Sequence, residues 1–93
     1  MKLDRQIAII IGSARGIGAA IARTFSQEGA NIVLVDLEKM KPHLDEVAQE
    51  IIQKGGKAIA IVADCTDERR VNEMVDETMQ QWGRIDILVN SAG

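Results

Sequence analysis

Gly12, Gly16 and Gly18 enclose Ser13, Ala14, Arg15 and Ile17 in a G-x-x-x-G-x-G run that joins an apolar pentapeptide to a helical pattern. Glycines at such a junction permit a tight turn in which backbone amides approach a diphosphate. The helix that follows contributes unpaired N–H groups and the positive end of a dipole. Arg15 adds a cation at the same place. The same glycines would also serve close packing of a helix on a strand, so the run alone leaves both uses open.

Asp36 follows Gly18 by 18 residues, near the roughly 20 residues that separate such a turn from a carboxylate accepting from ribose hydroxyls. A carboxylate there also repels a 2′-phosphate, which favours NAD over NADP. Against this stand a solvated loop role for Asp36 and the presence of Arg15 and Lys39, either of which could receive a phosphate. Leu37, the next residue, belongs to the same candidate set. Further on, Asp64 can accept from an adenine amino group, while Thr66 and Asp67 also read as caps of the following helix. Cys65 reads as a small packed residue in preference to a reactive thiol.

These residues need a scaffold that brings them together. Ile7 to Ile11 is a continuous β-branched run, as in a parallel strand covered on both faces, and it ends at Gly12. From Gly16 to Glu28 the stripe Ile17, Ala20, Ile21, Thr24, Phe25 predicts a helix, which Gly29 stops. Ile32 to Val35 repeats the strand pattern and closes on Asp36, after which Leu37 to Lys41 reads as irregular. Pro42 suits the first turn of a second helix with inner face Leu44, Val47, Ala48 and Ile51, ending at Gly55-Gly56. Ala58 to Ala63 predicts a third strand. Asp67 predicts the N-cap of a third helix with Val71, Met74, Val75, Met79 and Trp82 on one face and Gly83 after it. Ile85 to Val89 predicts a fourth strand running into Asn90-Ser91-Ala92-Gly93.

Strands alternating with helices in this way form a doubly wound parallel α/β sheet, and right-handed crossovers give the strand order 3-2-1-4. Gly12, Asp36, Asp64 and Asn90 then share the carboxyl edge, where the reversal of strand order opens a crevice.

Composition bounds the alternatives. The 93 residues, 46 % hydrophobic and 27 % charged with a net charge of -3, predict one domain over 1–93 with room for a single core. The absence of tyrosine and the presence of one histidine and one cysteine remove a tyrosine acid/base, a multi-histidine metal site and a paired-cysteine site. The acidic balance and 2 % aromatic content argue against a nucleic-acid partner. An apolar run of five residues near the N-terminus is too short for a secretory signal or a membrane span, so a cytoplasmic setting is expected.

With these residues assembled, the chain resembles the N-terminal, cofactor-binding half of a short-chain dehydrogenase/reductase along essentially all of its length. Ile11 to Gly18 is similar to that family's TGxxxGIG motif, Asp36 to its ribose acid, Asp64 to its adenine acid, and Asn90 to Gly93 to its NNAG motif. The resemblance implies a Rossmann-type fold, of which this would be half, and descent from an oxidoreductase that passes a hydride between a nicotinamide dinucleotide and an alcohol or ketone. It also implies that Gly12, Ser13, Ala14, Arg15, Gly16, Ile17 and Gly18 hold the diphosphate and adenosine ribose, that Asp36 holds the ribose hydroxyls with Leu37 beside it in the cofactor site, and that Asp64 and the Cys65 backbone hold the adenine. Asn90, Ala92 and Gly93 would line the crevice.

Ile11 replaces the family's threonine and Ser91 its second asparagine, which predicts a weaker polar tie between strands one and four. The family's catalytic Ser, its Tyr-x-x-x-Lys pair and a further Asn have no counterparts here, so no catalytic residue is assigned and the chain alone is expected to be inactive, a truncated member or fragment. The alternative is a stand-alone nucleotide-binding or assembly module without turnover. The fourth strand, Ile85 to Val89, is expected to be an open edge, and the chain to self-associate through it and the Met74/Met79/Trp82 side or else to be marginally folded.

Overall fold

A computed structural model describes residues 2–91. The strands are β1 (Ile7–Ile11), β2 (Asn31–Asp36), β3 (Ala58–Val62) and β4 (Ile87–Asn90), and the helices are α1 (Gly16–Gln27), α2 (Lys41–Gln53) and α3 (Glu68–Trp82). All strand pairs are parallel, in the order β3-β2-β1-β4. This is the doubly wound, Rossmann-like arrangement that the alternation of apolar strands and amphipathic helices predicts.

Each strand alternates its side chains between the two faces of the sheet, and both faces are covered, which is why the strand sequences are apolar throughout. The sheet therefore divides the interior into two apolar clusters where the composition suggested one. Ala8, Ile10, Ile32 and Leu34 pack with Ala19 and Ala22 of α1 and with Leu44, Val47, Ala48 and Ile51 of α2. Ile7, Ile9, Val33, Val35 and Ile61 pack on the other face with Met74 of α3. An Arg23–Glu50 ion pair links α1 to α2. No helix among the described residues is long and apolar enough to cross a membrane.

Several local expectations are corrected. The buried face of α1 is Gly18, Ala19 and Ala22, with Ile21 and Phe25 half-buried. Ile17, expected inside, is 76 % exposed, and Ala20 and Thr24 are exposed as well. Small residues take the most buried positions of the helix, Ile21 and Phe25 pack at the margin of the same cluster, and Ile17 in the first turn lines the crevice over the start of α1.

Leu37 to Lys41 is ordered: Glu38–Met40 forms one 3-10 turn that leads into Lys41, the first residue of α2. On α3, Thr78 is buried and Met79 is 45 % exposed. The Thr78 hydroxyl donates to the Met74 carbonyl oxygen at 2.9 Å, so it carries its own hydrogen-bond partner into the apolar face. The fourth strand runs Ile87–Asn90, two residues later than Ile85 to Val89 at its start. Asp86 takes the position before it, its backbone N–H donating to the Ile7 carbonyl and its carboxylate accepting from the Ile7 N–H.

Candidate functional site

The sheet register fixes where the motif residues emerge. Ile11 stands opposite Val35 on one side and Asn90 on the other, and Asp36 stands opposite Val62. Gly12, Asp36, the residues after β3 and Ser91 consequently leave the sheet at one edge. The amides of Gly12 and Ser13 both donate to the Val35 carbonyl, at 2.8 and 3.2 Å. Ser13 is fully buried, and its Oγ accepts from the Val35 amide at 3.0 Å while facing the Val35 carbonyl at 3.5 Å. Its side chain therefore points into the protein and anchors the turn on β2. Gly12 and Gly16 have φ of +82° and +62°, a region in which an L side chain is strained.

Asp36 links the turn to the next strand. One carboxylate oxygen accepts from the buried Ala14 amide at 3.1 Å and the other from the Leu37 amide at 2.8 Å. The N-cap residue of α1, Arg15, makes no side-chain cap, and the first turn holds no acid. The leading amides of Gly16, Ile17 and Gly18 thus lack the usual carboxylate or hydroxyl partner, the condition under which a helix N-terminus takes an exogenous anion. Gly18 permits the close approach: a Cβ there would stand 2.5 Å from Ser91 Oγ and closer still to the Gly12 carbonyl oxygen.

Despite the substitutions at Ile11 and Ser91, a polar tie joins β1 to β4. The Ser91 amide donates to the Ile11 carbonyl at 3.0 Å, and its hydroxyl lies 3.1 Å from that carbonyl and 3.3 Å from the Gly12 carbonyl. A serine reaches these backbone acceptors directly, so loss of the threonine hydroxyl on β1 leaves the strands linked.

After β3, an Asp64 carboxylate oxygen accepts from the Thr66 amide at 2.9 Å and the Thr66 hydroxyl at 2.7 Å. These bonds hold the Asp64 carboxyl below the usual carboxylate range, the side-chain bond most of all. Asp67 caps α3, accepting from the Arg69 amide at 3.0 Å. Thr66 is therefore the donor to Asp64 and not itself a cap. Cys65 is half-buried against the second apolar cluster; burial, then the Asp64 and Asp36 carboxylates, push its thiol pKa up and away from reactivity.

Two cavities meet on this edge. One of about 290 Å³ is lined by Ile11, Ala63, Asp64, Cys65, Thr66 and Asn90. The other, about 430 Å³, lies over the start of α1 between Arg15, Gly16, Gly18, Lys39, Met40 and Ser91. Gly12, Asp36 and Leu37 line both, which makes them two parts of one crevice. Met40 and Ser91 were not among the residues predicted to line it. Met40 arrives there through the 3-10 turn, and Ser91 through one further step of the β4 ladder. Ala92 and Gly93 lie outside the described residues.

The amino-acid sequence matches the family model for short chain dehydrogenase over residues 6–93. It is 41 % identical over 92 residues to oxidoreductase UcpA of Escherichia coli K12, covering 99 % of this chain and 34 % of that protein. It is 39 % identical over 93 residues to the 3-oxoacyl-[acyl-carrier-protein] reductase FabG of Thermotoga maritima, covering 100 % of this chain and 37 % of the other. A crystal structure of a hydroxysteroid dehydrogenase from Escherichia coli superposes with a TM-score of 0.93 at 40 % identity, over 99 % of this chain and 38 % of that one. The chain thus spans about a third of the length of the relatives it matches.

Proposed function

Since this chain belongs to the short-chain dehydrogenase family, we propose that it is the NAD-binding portion of an oxidoreductase that passes a hydride between a nicotinamide ring and an alcohol or ketone carbon. The observation that carries this reading is the place of Asp36, on the wall common to both cavities and hydrogen-bonded to the glycine turn through Ala14. From there a carboxylate can accept from ribose hydroxyls, while the uncapped N-terminus of α1 and Arg15 offer donors and positive charge to the diphosphate. The crevice beyond Asp36, with Asp64 and the Cys65 backbone, suits an adenine. The dinucleotide, when bound, supplies the hydride donor or acceptor. The residues of this chain bind and orient it.

NAD is favoured over NADP because a 2′-phosphate would stand beside Asp36, although Arg15 and Lys39 line the same cavity. Asn90 would line the crevice beside the dinucleotide. The chain holds no tyrosine to move a proton, so by itself it binds without turnover.

Calorimetric titration of the chain tests the reading. ADP-ribose and NAD should bind, NADP more weakly, and NAD mixed with simple alcohols should give no reduced-nicotinamide absorbance. Tighter binding of NADP than of NAD would overturn the cofactor assignment, and no binding of ADP-ribose would overturn the site.

A further inference from the structure

We propose that Ser91 is a positioning residue for the diphosphate-binding turn, its hydroxyl fixing the Gly12 carbonyl and, through it, the first turn of α1. This rests on the reading above that the α1 N-terminus receives the diphosphate.

Ser91 follows β4 and is half-buried, and its amide extends the β1–β4 ladder by one step to the Ile11 carbonyl. Its hydroxyl lies 3.1 Å from the Ile11 oxygen and 3.3 Å from the Gly12 oxygen, across the bend where the chain leaves β1. One hydroxyl carries one proton, so the two carbonyls share it, and each is held facing Ser91. Ile11 has no polar side chain that could take over this role.

The Gly12 carbonyl in turn lies against Gly18, where there is no room for even one methyl between that oxygen, Ser91 Oγ and the helix. Gly18 is in the first turn of α1, and its amide is among the donors available to an anion. Rotation of the Gly12 peptide, which a glycine at φ +82° would otherwise allow, displaces that turn. On the opposite side the Ser13 hydroxyl fastens the following residue to the Val35 backbone. Two serines far apart in the sequence therefore hold the two sides of one turn: Ser13 sets where the turn sits on β2, and Ser91 sets which way the Gly12 carbonyl faces.

The experiment compares the parent chain with Ser91→Ala, Ser91→Cys and Ser91→Thr, titrating each with ADP-ribose and with adenosine and following thermal unfolding. Loss of the hydroxyl in Ser91→Ala should weaken ADP-ribose binding roughly threefold to tenfold and leave adenosine binding unchanged, because adenosine makes no diphosphate contact. Ser91→Thr, which keeps a hydroxyl, should bind ADP-ribose as the parent does. Ser91→Cys, a weak donor of similar shape, should follow Ser91→Ala, and it gives the readout if the alanine variant fails to fold. Parental ADP-ribose affinity in Ser91→Ala or Ser91→Cys would overturn the assignment. So would an equal loss of both ligands alongside a lowered melting temperature, since Ser91 would then support only the sheet. If the parent binds no ADP-ribose, the dinucleotide reading falls and takes this proposal with it; if the parent binds and Ser91→Ala is unaffected, only the role of Ser91 falls.

Discussion

Gly18 and Asp36 each answer two demands at once. Gly18→Ala inserts a methyl where Gly12 O and Ser91 Oγ already meet, so overpacking should destabilise the chain by about 1–3 kcal/mol, and the displaced helix should lose ADP-ribose affinity beyond what the stability loss explains. Urea melts and titration of the same sample check this; an unchanged midpoint would show that α1 can move away without cost. Asp36→Ser should narrow the preference for NAD over NADP, because like charges a few ångströms apart cost about 1–4 kcal/mol between water and protein-surface dielectrics. It should also lower affinity for NAD, since the Ala14 and Leu37 amides lose their carboxylate acceptor; competition titrations separate the two effects. The carboxylate was legible from its spacing to the glycines. Its second role was not, because a hydrogen bond to an amide 22 residues away depends on the register of β1 with β2. Ser13 shows the same limit: a serine in a glycine turn looks ready to meet a ligand, and only the turn's path beneath Val35 buries its hydroxyl.

Among the elements, the strands and α2 were legible nearly to the residue because their apolar content is high and continuous or regularly spaced, with Leu44, Val47, Ala48 and Ile51 buried as the pattern requires. Periodicity weights large apolar residues and so turns the expected face of α1 toward Ile17, whereas Ala19 and Ala22 take the most buried positions and Ile17 lies outside. The start of β4 was displaced for an electrostatic reason. Asp86, which carries no β-strand signal, is held there by the Ile7 amide at 2.8 Å and by Arg84 Nε at 3.1 Å. The Arg84 hydrogen bond first, then that of Ile7, hold its carboxyl below the ordinary range. A carboxylate with a depressed folded pKa contributes stability that is fully present above the unfolded value of about 3.9 and lost as pH falls through the lower folded value. The parent chain should therefore melt above Asp86→Asn at neutral pH, and the gap should close as acid is added below that unfolded value. A gap of constant size across that range would mean that the charge is not what ties β4 to β1.

At the scale of the whole molecule, the two faces of the sheet are unequally protected. α1 and α2 share one face, while among the described residues α3 is the one helix on the other, because crossovers running in opposite directions from β1 put their helices on opposite sides. β4 pairs with β1 on one side and, among the described residues, with no strand on the other. The outcome is visible in Leu88, which pairs with buried Ile9 yet is 62 % exposed, and in Met79, 45 % exposed on α3. A strand edge without a partner strand among the described residues, beside exposed apolar side chains, is a template for association. A domain of this size buries only roughly 60–68 % of the surface of its unfolded chain, so it has little stability in reserve to offset that exposure. The isolated chain should therefore self-associate through this edge, with a sedimentation coefficient that rises with concentration. Leu88→Lys should shift it toward monomer with little effect on folding, because a side chain already in water loses little by becoming polar and a charge on an edge opposes pairing. A chain that stays monomeric and melts cooperatively at high micromolar concentration would show that β4 and α3 need no further cover, and a Leu88→Lys variant that associates as strongly as the parent would place the contact elsewhere.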